Sequence, residues 1–320
     1  MPYNPWDQGT RYEGKSDPEA MAGLLQQLGA VGFNGDTMSY VNQSFYSAGL
    51  PLGEHIAIEP ELGGNHSTMF WSTTGWGYWP SPGEKGWGSG PPVDAYKWLD
   101  GRRMTAICNR WAQNHTIDLM QAFFNGIAFV PWQNVWTVYN RMTPRDAEAL
   151  RRMASMERFL GQGTAMPPLL RSRDWEPYVV LTTEADTAGI RGSVFPMEHS
   201  SHVDPRSRTL SMAGVAGSNA SATVYTFIGW GGADYQGPVI ELYAGALREN
   251  LHAFDCYRGE ELYATAAGTL SIDVEAGGFG CILLTTNSTD TSAELDGFLA
   301  AMKAMTGRPL SSYDSVWRYT

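Results

Sequence analysis

Two short apolar runs that each break off at an acid constrain this chain more than any other feature. The first is Val31-Gly32-Phe33-Asn34-Gly35-Asp36; the second is His55-Ile56-Ala57-Ile58-Glu59-Pro60-Glu61. A strand of a parallel sheet is buried on both faces and reads as an unbroken apolar stretch. It surfaces at its end, and in a β/α barrel the carboxyl ends of the strands carry the reacting groups. Ahead of the first run, Pro18 to Leu28 reads as a helix. Asp17 is placed to cap it, Pro18 takes the first helical position, and Met21, Leu24, Leu25 and Leu28 share one face. Helix, strand, short helical segment, strand is the spacing of βα units. Acids on successive strand ends suggest an acid/base or nucleophile pair, Asp36 facing Glu59 or Glu61. The alternative is that Asp36 caps the next helix and the two glutamates are loop charges.

Residues 63 to 92 form a long irregular stretch rich in Gly, Pro and Trp, directly after the second acid-tipped strand. Loops of this length inside a compact domain are usually functional. The chain has 12 Trp, many of them between Trp71 and Trp136. Indoles are costly to leave exposed, so they belong to a core or to the wall of a cleft. A cleft lined with indoles and acids suits a sugar: flat apolar faces for the CH side of the ring, carboxylates and amides for the hydroxyls. Asn34, Trp71, Trp76, Trp79, Trp132 and Asn134 are the candidate sugar-binding residues. The competing reading is a packed barrel interior.

The net charge of -11 leaves no excess of Lys and Arg for phosphates, which argues against nucleic acid as a partner. No run of apolar residues is long enough to span a membrane. Cys108, Cys256 and Cys281 are odd in number and far apart, so neither a metal spacing nor a disulfide framework follows. His55, His66 and His115 are each isolated, so no metal site is expected. No glycine fingerprint opens a helix after a strand, so no dinucleotide or other cofactor is expected. Five Asn-x-Ser/Thr sequons, at Asn42, Asn65, Asn114, Asn219 and Asn287, lean towards a secreted or lumenal protein. The N-terminal residues carry no charged-then-apolar signal.

Further along, Thr143-Pro144-Arg145-Asp146 is a strong helix start, with Thr as cap and Pro at the first position. The helix is predicted to run to Leu160. Residues 161–174 read as a linker, and the period then changes. Runs at 178–183, 194–197, 209–212, 223–228, 239–243, 269–274 and 278–286 are β-type, split by Gly-, Asn- and Asp-rich turns. Ser292 to Met305 is an amphipathic helix, and residues 308–320 read as a tether. The expected organisation is therefore α/β plus all-β. Residues 1–165 form a partial (β/α) TIM-type barrel, 170–286 an antiparallel β-sandwich, and 287–320 a helix with a C-terminal tether.

Several segments carry a resemblance. They are Pro2-Tyr3-Asn4-Pro5-Trp6-Asp7, Gly32-Phe33-Asn34-Gly35-Asp36-Thr37-Met38, Glu59-Pro60-Glu61, Gly75-Trp76-Gly77-Tyr78-Trp79, Phe123-Phe124-Asn125-Gly126 and Thr143 to Arg152. In them the chain resembles a glycoside-hydrolase-like family in which a β/α barrel precedes a β-sandwich. In many relatives a sulfatase-modifying-factor-like domain follows. The resemblance implies hydrolysis of an O-glycosidic bond by two carboxyl groups, about 5 to 5.5 Å apart for retention and wider for inversion. Asp36 would be nucleophile or stabiliser of the oxocarbenium ion, Glu59 or Glu61 the general acid/base. Two departures matter. Only about four βα units precede the linker, roughly half of what closes a barrel, so a partial copy is expected. Val130 and Gln133 stand where the family pattern has acids. A carbohydrate-binding protein with impaired catalysis, or a scaffold for an adjoining domain beyond either terminus, are therefore the alternatives.

Overall fold

The computed structural model describes residues 2–3, 16–35, 40–53, 56–61, 66–72, 74–78, 90–101, 103–109, 114–131, 134–135, 138–139, 142–160, 175–196, 222–242, 251–285 and 293–316. The chain opens with β1 (Pro2–Tyr3), α1 (Asp17–Leu28), β2 (Gly32–Gly35), α2 (Gln43–Ser47) and β3 (Ala57–Pro60). The three strands make a parallel sheet in the order β1-β2-β3. The cap of α1 is Ser16, one residue earlier than Asp17. Its N–H donates to the Glu19 carboxylate at 3.1 Å, one arm of a capping box. Gly29, at φ +64, closes the helix in the left-handed conformation. Met21 and Leu25 of α1 and Phe45 of α2 bury one face of this sheet through Phe33 and Ile58.

A second parallel sheet follows: β4 (Thr74–Tyr78), α3 (Ala95–Leu99), β5 (Met104–Cys108), α4 (Thr116–Asn125) and β6 (Ala128–Val130), in the order β4-β5-β6. β3 packs beside β4, but among the described residues no ladder joins the two sheets and neither sheet closes. The expected TIM-type barrel therefore takes the form of two open parallel sheets. A small ribbon, β7 (Asn134–Val135) and β8 (Val138–Tyr139), precedes α5 (Pro144–Leu160). Helix α5 starts where its sequence indicates. The Asp146 N–H donates to Thr143 Oγ1 at 3.1 Å, and that hydroxyl donates back to Asp146 Oδ2 at 2.7 Å. Helix α4 begins at Thr116, and 110–113 lie outside the described residues.

The rest is antiparallel: β9 (Glu176–Pro177), α6 (Thr183–Thr187), β10 (Ile190–Pro196), β11 (Ala222–Gly229), β12 (Tyr235–Glu241), β13 (His252–Asp255), β14 (Glu260–Leu262), β15 (Thr269–Val274) and β16 (Phe279–Thr285). Six of these strands form one sheet, ordered β14-β13-β16-β11-β10-β9, and β12 pairs with β15. The run expected as a strand over 178–183 is not one. Tyr178 has φ +55, and the Thr182 hydroxyl caps α6 by accepting the Ala185 N–H. The run at 209–212 lies outside the described residues.

All eight residues of β11 are buried, because each face of the sheet is covered. Val224 and Ile228 join Phe195, Phe279 and Leu283 in a core shared with Leu119, Phe123, Met153 and Met156 of α4 and α5. Tyr225 and Phe227 point the other way, into a core with Val239, Ile240, Leu270 and Ile272 of the β12–β15 pair. Burial of each such side chain is worth about 1.5–3 kcal/mol. The helix α7 (Ala293–Thr306) adds Leu295, Leu299 and Met302 to the first core. The segment after it, expected as a tether, instead winds into a 3-10 helix at Leu310–Val316. Leu310 is fully buried, and its N–H donates to the Glu275 carboxylate at 2.6 Å. No helix among the described residues is long and apolar enough to cross a membrane.

Candidate functional site

The parallel register sets Asn34 of β2 directly beside Glu59 of β3. Phe33 and Ile58 are committed to the core under α1 and α2, and side chains alternate along a strand. Asn34 and Glu59 therefore share the face turned away from those helices, near the carboxyl ends of their strands. Asn34 Nδ2 donates to Glu59 Oε2 at 3.2 Å and lies 3.4 Å from the Glu59 carbonyl oxygen. Gly32 permits this close pairing, since a Cβ there would collide with the Ala57 carbonyl. Strand β3 ends at Pro60. Glu61 lies past the ladder and is 6% exposed, so the two-residue period that would align it with Glu59 does not extend to it.

Trp71 is tied to the fold at β2–β3. Its indole N–H donates to the Val41 carbonyl at 2.7 Å, Tyr40 meets its ring edge-on at 6.1 Å, and it packs on the α1–α2 core. Trp76, in β4, is buried. Asp36, Trp79, Trp132 and Gln133, and the side chain of Asn134, lie outside the described residues. Val130 ends β6.

A second polar group at the carboxyl end of β5 was not legible as a unit. Asn109 follows the strand, and Asn109, His115 and Asp118 are all buried. His115 Nδ1 lies 2.9 Å from Asp118 Oδ2, and Asn109 Nδ2 donates to Asp118 Oδ1 at 3.4 Å. The His115 N–H and the Thr116 hydroxyl both donate to Asp146, each at 2.8 Å. These bonds fix the imidazole and join the start of α4 to the start of α5. The signal in sequence was the His-x-x-Asp spacing just after a strand.

A third buried group ties α3 to the antiparallel sheet. Lys97 is 1% exposed; its Nζ donates to the Gly126 carbonyl at 2.7 Å and sits over the rings of Trp175 and Phe195. Burial pulls its ammonium down to about 7 against the attraction of Glu157 and Asp94. Burial likewise pushes the Glu157 carboxyl up to about 7, against Lys97. Among the described residues no three His, Cys, Asp or Glu side chains are arranged to hold a metal ion.

No family model matches the chain, and no curated protein sequence matches it. Among solved structures it is similar to a β-L-arabinopyranosidase from Geobacillus stearothermophilus, at 9% identity and TM-score 0.42, covering 86% of this chain and 62% of that one. It is similar to an α-amylase from Anoxybacillus, at 11% identity and TM-score 0.49, covering 85% of this chain and 62% of that one. It is also similar to a glycoside hydrolase family 30 xylanase from Clostridium acetobutylicum, at 10% identity and TM-score 0.42, covering 83% and 69%. The chain thus spans less than two thirds of the length of the first two. All three are glycoside hydrolases, and likenesses of this size assign neither an activity nor a closed barrel.

Proposed function

We propose that the chain is a glycoside hydrolase-like protein acting on the O-glycosidic bonds of a poly- or oligosaccharide at the carboxyl ends of β2 and β3. The observation that carries this reading is the Asn34–Glu59 hydrogen bond. An amide that donates to Oε2 orients the carboxylate and leaves Oε1 for a sugar atom. Cleavage needs a second carboxyl group to complement the first, one donating a proton to the leaving oxygen and the other meeting the positive charge that develops on the ring. Asp36, one residue past β2, and Glu61, one past β3, are the partners in this scheme. Trp71, Trp76, Trp79, Trp132 and Asn134 would bind the sugar. In this reading β1 to β6 are one side of a β/α barrel, which the packing of β3 beside β4 supports, and the antiparallel strands are its companion sandwich.

The test is turnover of a panel of oligosaccharides by the natural chain and by Glu59→Gln and Asp36→Asn. Loss of about a hundred-fold or more in each variant is expected for an acid/base group. Turnover unchanged in Glu59→Gln would overturn the assignment. A second reading is a carbohydrate-binding protein without hydrolysis, favoured by Val130 at the tip of β6, where a reacting group would stand. It predicts calorimetric binding of a glycan that Glu59→Gln retains and Trp76→Ala loses.

A further inference from the structure

The antiparallel sheet brings together two cysteines that are remote in sequence. Asp255 of β13 stands opposite Ile282 of β16, and the next step of that register sets Cys256 opposite Cys281. The Cys256 N–H donates to the Cys281 carbonyl at 2.8 Å. This is one of the two bonds that a hydrogen-bonded cross-strand pair exchanges, and in such a pair the Cα atoms lie about 5.5 Å apart. A disulfide spans Cα separations of about 4.4–6.8 Å. Both side chains enter the same core. The third cysteine, Cys108, is on β5.

We propose that Cys256 and Cys281 are a disulfide-forming site, which staples β13 to β16 when the folding chain meets a small-molecule disulfide such as oxidised glutathione. The staple has a mechanical role. β13 and β14 are the last two strands at one edge of the sheet, and the turn that joins them carries Gly259, packed on the backbone of α7 at Leu299 and Lys303. Fixing Cys256 to the inner strand β16 anchors the edge on which α7 rests. In the exchange, one cysteine thiolate attacks a glutathione sulfur and releases one glutathione thiol. The other cysteine then gives up its proton, attacks the mixed disulfide and releases the second glutathione. Two protein S–H bonds and one S–S bond become one protein S–S bond and two S–H bonds. Both thiols are fully buried in the folded chain, and the neighbouring Cys256 thiol together with burial holds the Cys281 thiol well above its ordinary range. The exchange is therefore fast only while β13 is still unpaired.

The experiment is refolding of the full chain in a mixture of reduced and oxidised glutathione. Remaining thiols are then alkylated, and the protein is digested without reduction for mass spectrometry. A linked peptide pair joining Cys256 to Cys281, about 2 Da lighter than the two free peptides together, with Cys108 alkylated, is the expected result. Alkylation of all three thiols, a link through Cys108, or stable glutathione adducts on Cys256 and Cys281 would each overturn the proposal. The oxidised chain should also melt several degrees above the reduced one, and Cys256→Ser should abolish that difference. Equal melting of the two natural forms would refute the stapling role. Should Cys256→Ser fail to fold, the peptide map and melts of the natural chain decide alone.

Discussion

Arg152 offers the most direct test of how the two parts of this chain hold together. It lies in α5 with no side-chain exposure. Its Nε donates to Glu148 Oε1 at 2.8 Å, Nη1 to the Tyr257 hydroxyl at 3.0 Å, and Nη2 to the carbonyls of Met305 at 3.0 Å and Arg308 at 2.6 Å. One guanidinium thus joins α5 to the β13–β14 turn and to the end of α7. In Arg152→Met, Glu148 keeps both of its bonds to Arg151, and the exposed Arg308 backbone can turn to water. The Tyr257 hydroxyl and the Met305 carbonyl lose a buried donor, at about 1–3 kcal/mol each. Glu275 Oε1, 3.8 Å from Arg152, loses a nearby cation and keeps Arg258 at 3.6 Å. The new thioether recovers part of this by packing. The net expectation is a loss of about 3 kcal/mol, at the low end of what breaking a buried ion pair costs. Urea unfolding followed by tryptophan fluorescence would read it as a lower midpoint at unchanged slope. Proteolysis should also nick the chain after Gly307 sooner than in the parent. A loss below about 1 kcal/mol at unchanged slope would show that the guanidinium is dispensable to the join.

Three further expectations follow from other sites. Gly259 has φ +72, and a Cβ there would run into the Leu299 carbonyl; Gly259→Ala should cost at least about 2 kcal/mol in the same unfolding assay, and an unchanged midpoint would contradict the packing of α7. Burial pushes the carboxyls of Glu157 and Asp255 up to about 7, from 4.5 and 3.8. Between those ordinary values and about pH 7 the folded chain keeps protons that the unfolded chain releases, so stability falls as pH rises through this window. Burial lowers Lys97 from 10.5 to about 7, so above pH 7 the unfolded chain binds the extra proton and stability rises again. Urea midpoints should therefore pass through a minimum near pH 7, and Glu157→Gln should flatten the acid side; identical pH profiles for the two chains would refute the burial argument. Glu148 has the opposite sign: burial works against its charge, but bonds from Arg151 and Arg152 outweigh that and hold it below its ordinary value. Its stabilisation is lost as pH falls through that lowered value, and the Glu148→Gln variant should lose less stability than the parent on acidification below about pH 4.

Local signals were legible where they concern neighbours in sequence. Thr143, Pro144 and Asp146 marked the start of α5, and the helix runs to Leu160 as its sequence indicates. What escaped was set by partners distant in the chain. Residues 178–182 have β-type composition, but Tyr178 lies across α4, with its ring 4.8 Å from Phe124 and its hydroxyl bonded to the Pro91 carbonyl. Leu310 looks like one apolar residue in a polar tail until Glu275 and α5 are folded beside it. The Asn34–Glu59 bond was half visible: each residue lies near the end of one of the two acid-tipped runs, but only the register of β2 on β3 makes them neighbours. Lys97 and Glu157 carry no motif, because nothing in their spacing shows that the two buried charges attract each other.

Strand β11 is a wall with an occupied room on either side, and that makes separation of the chain expensive. Cleavage anywhere between Leu160 and Trp175 and removal of one piece would leave Phe195, Val224, Phe279 and Leu283 bare on one fragment, and Leu119, Phe123, Met153 and Met156 bare on the other. Fragments with such surfaces clump or find each other again. Neither length is free to travel through evolution as an independent module unless its new neighbour supplies a matching greasy face.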